Sequence, residues 1–440
     1  MNLLFVSLGC DKNLVDSEEM IGIVSKRGYE FTDDETQAEI IVINTCCFIN
    51  DAKEESINTI LEMAAQKKKG VCQALIVTGC MAERYRQEII DEIPEVDALL
   101  GTASYSEIAE VIEMVLNGRS VQIYSDLNQV KELNYNRVLT TGGHYAHLKI
   151  SEGCDKCCTY CVIPKVRGNY RSIPMDNLLK QAEILVSKGV KELILVAQET
   201  TVYGVDLYGK KMLPELLKKL CAIEELVWIR IMYCYPEEIT DEIIQTIKEE
   251  EKICKYVDMP IQHSEDEILK RMGRKTDRKQ IENIVEKLRK EIPGISIRTT
   301  LISGFPGETD EDHENLMDFV QKMQFDRLGV FTYSREEGTP AAKMKNQVTK
   351  KVSEKRRNQI MELQQEIAFE KAESRIGEEV FVMIEGQISD ENAYIGRTYM
   401  DAPNIDGNIF ITTDATLVSG DFVKVRITGA SEYDLIGDLI

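Results

Sequence analysis

Apolar and polar positions alternate in blocks along the first 130 residues. The runs LLFVSLG (3–9), EIIVINT (39–45), ALIVTG (74–79) and VDALLG (96–101) have the length and composition of buried strands. Between them, DSEEMIGIVSKRG, DAKEESINTILEMAAQ and AERYRQEIIDEI carry apolar residues at helical spacing. This order predicts a Rossmann-like, doubly wound domain over 1–130, a parallel sheet covered by helices. A polar stretch ending in TTGGH marks a linker at 131–143. Six further strand-like runs follow between helical segments: HLKIS, ELILVAQ, VWIRIM, YVDMP, ISIRTTLIS and DRLGVFTYS. They predict an open (β/α) partial TIM barrel, which with the charged helix 350–373 makes a core at 144–373. After that helix the period switches to two in EVFVMIEG, AYIGRTY, NIFITT, DFVKVRITG and YDLIGDLI. Five short strands separated by Gly, Asp and Asn predict a small antiparallel, OB-like barrel at 374–440.

Composition narrows the function classes. The 440 residues are 43% apolar and 29% charged, as expected of two to four ordinary globular domains. Lys plus Arg is 53 against 75 Asp plus Glu, a net charge of −22. A surface so acidic disfavours general nucleic-acid binding and favours a basic protein partner. No apolar run approaches the roughly 18–20 residues of a membrane span. The opening LLFVSLGC lacks a basic leader and reads as a strand, so the expected location is the cytoplasm. Twelve cysteines in such a chain are not a disulfide framework, because that compartment keeps thiols reduced. The four histidines, His144, His147, His263 and His313, are too scattered to suggest a metal site.

Position sorts the cysteines. Cys10, Cys46 and Cys80 each lie just past the carboxyl end of a predicted parallel strand, the edge at which ligands bind. Three thiols at one edge suit an iron–sulfur cluster or zinc. Cys72 begins its strand and Cys47 points away from its neighbour, so both read as small buried hydrophobes. A second set lies in GCDKCCTYCVIPKVRG (153–168), where Cys154, Cys158 and Cys161 give C-x3-C-x2-C. Three such thiolates can hold three irons of a cubane and leave the fourth open. Cys157 also allows two abutting CxxC pairs, although a zinc site usually separates its pairs by about 12–20 residues. Tyr160 is placed either to cover a cluster or a stacked base, or to rest on the core as a loop aromatic.

Taken in order, LGCDKN, INTC, TGCMAERY, GCDKCCTYCVIPKVRG, DMPIQH and GFPGET resemble the radical S-adenosylmethionine methylthiotransferases over essentially the whole chain. The resemblance implies an N-terminal domain with an auxiliary [4Fe–4S] cluster on Cys10, Cys46 and Cys80. It implies a second [4Fe–4S] cluster on Cys154, Cys158 and Cys161, and a C-terminal TRAM domain. CCFINDAKEESI (46–57) and GRTYMDAPNIDGNIFI (396–411) resemble the RimO-type members, which methylthiolate the β-carbon of an aspartate in the twelfth protein of the small ribosomal subunit. From Arg375 onward four basic residues face twelve acidic ones, 4 − 12 = −8. A tRNA-gripping barrel should be basic, and one at −8 suits a Lys/Arg-rich ribosomal protein.

By this resemblance the open iron beside Cys154, Cys158 and Cys161 chelates S-adenosylmethionine. One electron, from a donor such as a flavodoxin or ferredoxin, cleaves it to a 5′-deoxyadenosyl radical that attacks an unactivated C–H bond. The auxiliary cluster's open iron takes an external sulfur, which a second S-adenosylmethionine methylates before transfer. No protein acid, base or nucleophile is expected to be catalytic. Gly304 and Gly307, in a turn after TTLIS, are candidates for bringing backbone close to the cofactor, or are an ordinary turn. Where the superfamily carries Gly-Gly-Glu this chain reads Ala197-Gln198-Glu199-Thr200, making Gln198 and Glu199 candidate contacts. Arg298 is either a partner for the cofactor carboxylate or a surface arginine. Three alternatives remain: a MiaB-type tRNA adenosine methylthiotransferase, a non-enzymatic iron–sulfur or zinc scaffold, and a radical enzyme using its second cluster only for electron transfer.

Overall fold

The computed structural model describes residues 1–129, 135–388 and 392–440. The predicted linker at 131–143 therefore falls partly, at 131–134, outside the described residues. The chain forms two compact units: Met1–Thr140 with Ser151–Ile173 and Ser334–Ala342, and Thr141–Ile150 with Pro174–Tyr333 and Lys343–Ile440.

The first unit is built on six parallel strands: β1 (Asn2–Ser7), β2 (Glu30–Phe31), β3 (Ile40–Thr45), β4 (Ala74–Gly79), β5 (Ala98–Leu100) and β6 (Val121–Ile123), ordered 2-1-3-4-5-6. Alternation along the strands makes two cores. Leu3, Ile40, Val42, Ile76 and Leu100 pack on one face with Met20 and Val24 of α1 (Asp11–Ser25). Ile41, Ile43, Leu75, Val77 and Leu99 pack on the other with Ile60 and Met63 of α2 (Asn50–Lys69). The helix predicted over AERYRQEIIDEI is two, α3 (Cys80–Tyr85) and α4 (Gln87–Glu92), broken where Arg86 takes φ 42°. Arg86 there pairs with Glu83 at 2.6 Å and lies over the Tyr124 ring. The 151–173 segment is pinned to this unit by Val166, which joins the second core, and by the Thr102 hydroxyl, which donates to the Val166 carbonyl at 2.5 Å.

The second unit holds six parallel strands in chain order: Tyr145–Lys149, Glu192–Val196, Trp228–Ile231, Ile253–Asp258, Ser296–Ser303 and Arg327–Thr332. Five C-terminal strands close a barrel. Its pairs are antiparallel except Ile409–Thr412 against Asp434–Leu439, which run parallel. A ring of five strands cannot alternate direction all the way round, so one parallel pair is the topological cost of closure.

The segment 397–406 touches all six parallel strands, mostly at their amino-terminal ends. Asn404 donates to the Tyr145 hydroxyl at 3.2 Å, and Arg397 pairs with Glu192 at 2.6 Å. Arg230 donates to the Tyr399 carbonyl, Tyr256 to Asp406, Ser296 to the Met400 carbonyl and Arg327 to Asp401. In parallel α/β folds chemistry gathers at the opposite, carboxyl ends, so DAPNID is a seal on the stability side of the sheet.

Candidate functional site

Three thiols of the first unit gather where its central strands end. Cys10 caps α1, with its carbonyl accepting from the Leu14 amide at 3.0 Å. The buried Cys46 follows β3, and Ser56 of α2 clasps its peptide, accepting from its amide at 3.1 Å and donating to its carbonyl at 2.9 Å. Cys80, also buried, opens α3 directly after β4. The turn bearing Cys10 abuts Cys46 so closely that a Cβ on Gly9 would lie 2.6 Å from the Cys46 Cβ and 2.9 Å from its sulfur. Burial, reinforced by the neighbouring Cys80 and Cys10 charges, pushes the Cys46 thiol up to about 12. Burial likewise raises the Cys80 thiol, and a bound cation would draw the protons from both Cys46 and Cys80.

Two polar residues tie the strand ends together. The Asn13 amide donates to the Leu8 carbonyl at 2.9 Å and to the Thr45 carbonyl at 3.0 Å, bridging the ends of β1 and β3. Its oxygen accepts from the Arg167 guanidinium and faces the Cys80 sulfur at 3.8 Å. Arg167, fully buried at the end of helix α6 (Ile163–Arg167, numbered after α5 at Ile108–Leu116), directs Nε at the Cys80 sulfur at 3.4 Å. Its Nη1 pairs with Asp16 at 2.6 Å and with Glu152 at 3.2 Å. Asn13 lies inside LGCDKN and Arg167 inside KVRG, and neither motif by itself signals a role for them. Only the fold brings them to the thiols.

The second triad is held by its own loop. The Lys156 amide donates to the Cys154 sulfur and the Ile163 amide to the Cys161 sulfur, each at 3.4 Å. The Cys161 amide donates to the Cys158 carbonyl at 3.1 Å. Burial raises the Cys161 thiol, the Ile163 amide opposes this, and Cys158 and Cys154 raise it further. Cys157 faces outward, its thiol toward the Asp155 carbonyl at 3.7 Å. Gly153 stands at φ +79°, where a Cβ would meet the Asn169 carbonyl oxygen at 2.1 Å. Tyr160 sits half-buried in the same loop.

In both triads the donors are thiols, with N–H groups on a sulfur, and each provides three ligands. That is the donor chemistry of a cubane with one open iron. No three His, Cys, Asp or Glu side chains among the described residues are grouped to hold a single metal ion.

The remaining candidates lie in the second unit. Gln198 and Glu199 follow the Glu192–Val196 strand, and the buried Glu199 accepts from the Thr201 hydroxyl. Arg298 is held between Asp258 at 2.7 Å and Asp406 at 3.3 Å. The Gly304 amide donates to Glu308 at 2.7 Å and the Gly307 amide to the Asn346 carbonyl at 2.8 Å. Glu308 is itself buried and paired with Arg356 at 2.8 Å, so the turn is closed upon its own carboxylate.

Comparison with known proteins agrees with this layout. Residues 2–101 match the family described as Uncharacterized protein family UPF0004, 148–320 the Radical SAM superfamily and 376–440 the TRAM domain. The ribosomal protein uS12 methylthiotransferase RimO of Lachnoclostridium phytofermentans is 64% identical over 99% of both chains. That of Acetivibrio thermocellus is 52% identical over 99% of this chain and 97% of its own. Among solved structures, the radical S-adenosylmethionine methyltransferase TsrM of Kitasatospora setae covers 77% of this chain and 76% of its own, with TM-score 0.58 and 15% identity, a likeness of fold.

Proposed function

Because this chain belongs to the RimO family of ribosomal protein uS12 methylthiotransferases, we propose that its two thiol triads are the two cluster sites of that chemistry. The chain is a radical S-adenosylmethionine enzyme that methylthiolates uS12, and the target atom is the β-carbon of an aspartate. The gathering of six thiols into two groups of three carries the assignment. Cys154, Cys158 and Cys161 hold the cluster that binds S-adenosylmethionine, and Cys10, Cys46 and Cys80 hold the auxiliary one. When bound, the clusters supply the electron for reductive cleavage and an open iron for the sulfur to be transferred.

The chain's own residues position and shield. Ser56 and Asn13 fix the strand ends that present the auxiliary thiols. Tyr160, Gln198, Glu199 and the Gly304–Gly307 turn are the cofactor contacts, whereas Arg298, the candidate partner for the cofactor carboxylate, is committed to Asp258 and Asp406. The functional regions are 1–130, 144–373 and 374–440, joined at 131–143. A reduced flavodoxin or ferredoxin in the cytoplasm supplies electrons. The charge of −8 after residue 374 favours a basic protein over tRNA as substrate.

The test is anaerobic incubation of cluster-reconstituted protein with S-adenosylmethionine, dithionite, sulfide and a peptide from the uS12 substrate loop. A tRNA stem-loop is run in parallel. Mass spectrometry should find a methylthio gain on the peptide's aspartate and none on the RNA. A gain on the RNA alone would overturn the substrate assignment.

A further inference from the structure

Arg167 has a placement that cluster ligation alone does not explain. It lies six residues beyond Cys161, at the end of the segment that carries the second triad, yet its guanidinium reaches the sulfur of Cys80 in the first. Each edge of the planar group is used: Nε on the thiol, Nη1 on Asp16 and Glu152, and Nη2 on Asn13. Lysine, a point donor on a flexible stem, cannot reproduce this fork. Were the arginine there only to neutralise Asp16, its Nε would have no need to face a thiol. A cationic N–H donor on a ligand sulfur draws charge from it, and hydrogen bonds to sulfur are among the main controls of a cluster's reduction potential.

We propose that Arg167 is a positioning residue that sets the charge of the auxiliary cluster through Cys80, making it easier to reduce and readier to accept an anionic sulfur on its open iron. This rests on assigning Cys10, Cys46 and Cys80 to a cluster. Asp16 is the counterweight: its carboxylate, 2.6 Å from Nη1, offsets part of the cation's effect. The two residues therefore act on the potential with opposite signs. A purely structural role for the pair has no such signature.

The experiment uses the full chain carrying Cys154→Ala, Cys158→Ala and Cys161→Ala, so that only the first triad can hold iron. After anaerobic reconstitution, iron and sulfide are counted, and the cluster is titrated with redox mediators while its reduced state is followed by electron paramagnetic resonance. Adding Arg167→Gln should lower the ratio of reduced to oxidised cluster roughly tenfold at a fixed potential, a downward shift of about 59 mV for one electron. Arg167→Lys should shift it in the same direction by less, and Asp16→Asn should shift it upward. Should Arg167→Gln fail to fold, the signs in Arg167→Lys and Asp16→Asn decide, since both keep a buried cation. A loaded cluster whose potential is the same in all variants overturns the inference and leaves the cluster assignment standing. A parent protein that binds no iron overturns the assignment itself.

Discussion

Cys10, Cys46 and Cys80 come from three strand ends, 36 and 34 residues apart, whereas Cys154, Cys158 and Cys161 come from one loop spanning eight residues. The dispersed triad is assembled by the sheet: Asn13 and Ser56 hold its backbone, and a guanidinium from a distant segment touches the Cys80 sulfur. The local triad is assembled by its own turns, with backbone amides on two of its sulfurs. Closing a loop of eight residues costs little chain entropy, so the local site needs less of the fold than the dispersed one. Perturbations of the sheet should therefore empty the first site before the second.

The largest effect comes from removing one thiol of each. Cys154→Ala should abolish 5′-deoxyadenosine formation, measured by liquid chromatography after anaerobic turnover. Cys80→Ala should leave that product in place and remove only the methylthio transfer. Equal loss of both products in the two variants would mean that the triads do not divide the chemistry as assigned.

Next is acid sensitivity in the unit that holds neither triad. Glu192 is fully buried; burial alone would raise its carboxyl, but Arg397 and Arg230 hold it at about 2 instead of the ordinary 4.5. A depressed folded-state value gives stability that is present above about 4.5 and lost as pH falls toward 2. The loss is up to about 3 kcal/mol at about 1.4 kcal/mol per pH unit. Trp228, the only tryptophan, packs edge-on against Phe422 at 4.8 Å in this unit and reports its unfolding. Its fluorescence in the iron-free protein should show this acid-dependent loss. Glu192→Gln should remove this share of the pH dependence, with Glu308 and Glu385 keeping theirs. It should cost about 3–5 kcal/mol at neutral pH, because Arg230 loses its carboxylate and Arg397 keeps only Glu385. An unchanged acid profile in the variant would assign the sensitivity elsewhere.

Asn13→Ala sharpens the contrast within the first unit. It strips donors from the Leu8 and Thr45 carbonyls, which should cost about 2–4 kcal/mol in urea unfolding. Iron should fall at the dispersed site, counted with the local cysteines replaced, and stay at the local site, counted with Cys10, Cys46 and Cys80 replaced. Equal iron loss at both sites would show that the two triads fold as one.

Four of the first unit's strands, the strands of the second and both groups of cysteines are legible in the sequence because each leaves a local mark. That mark is an apolar run of the right length, a cysteine at its end, or three cysteines in one short motif, whereas the short edge strands β2 and β6 leave no such run. What the sequence hides is set by pairings between distant residues. Nothing near Asn13 says that its amide spans two strand ends, and nothing in KVRG says that Arg167 reaches Cys80 rather than solvent. The break at Arg86 depends on Glu83 and Tyr124 together. The packing of 151–173 with the first unit depends on where Val166 and Thr102 meet. DAPNID is legible as a motif, but its place beneath six strands emerges only in three dimensions.

The smallest effects concern the cysteine that stands beside a ligand in each triad, and they decide whether adjacency or direction defines the sites. Cys47 follows Cys46 but is wholly buried in the core, its thiol donating to the Cys80 carbonyl at 3.2 Å. Cys157 precedes Cys158 but is exposed, turned toward Asp155. Cys47→Ser keeps the donor while burying a more polar atom, so it should cost about 1–2 kcal/mol. Cys157→Ser, on the surface, should cost no more than about 0.5 kcal/mol. Neither should change the iron count, whereas Cys46→Ser and Cys158→Ser should each lower it at their own triad. Iron loss in Cys157→Ser would replace the C-x3-C-x2-C set with a CxxC pair. The local loop would then be a different site from the one its backbone amides describe.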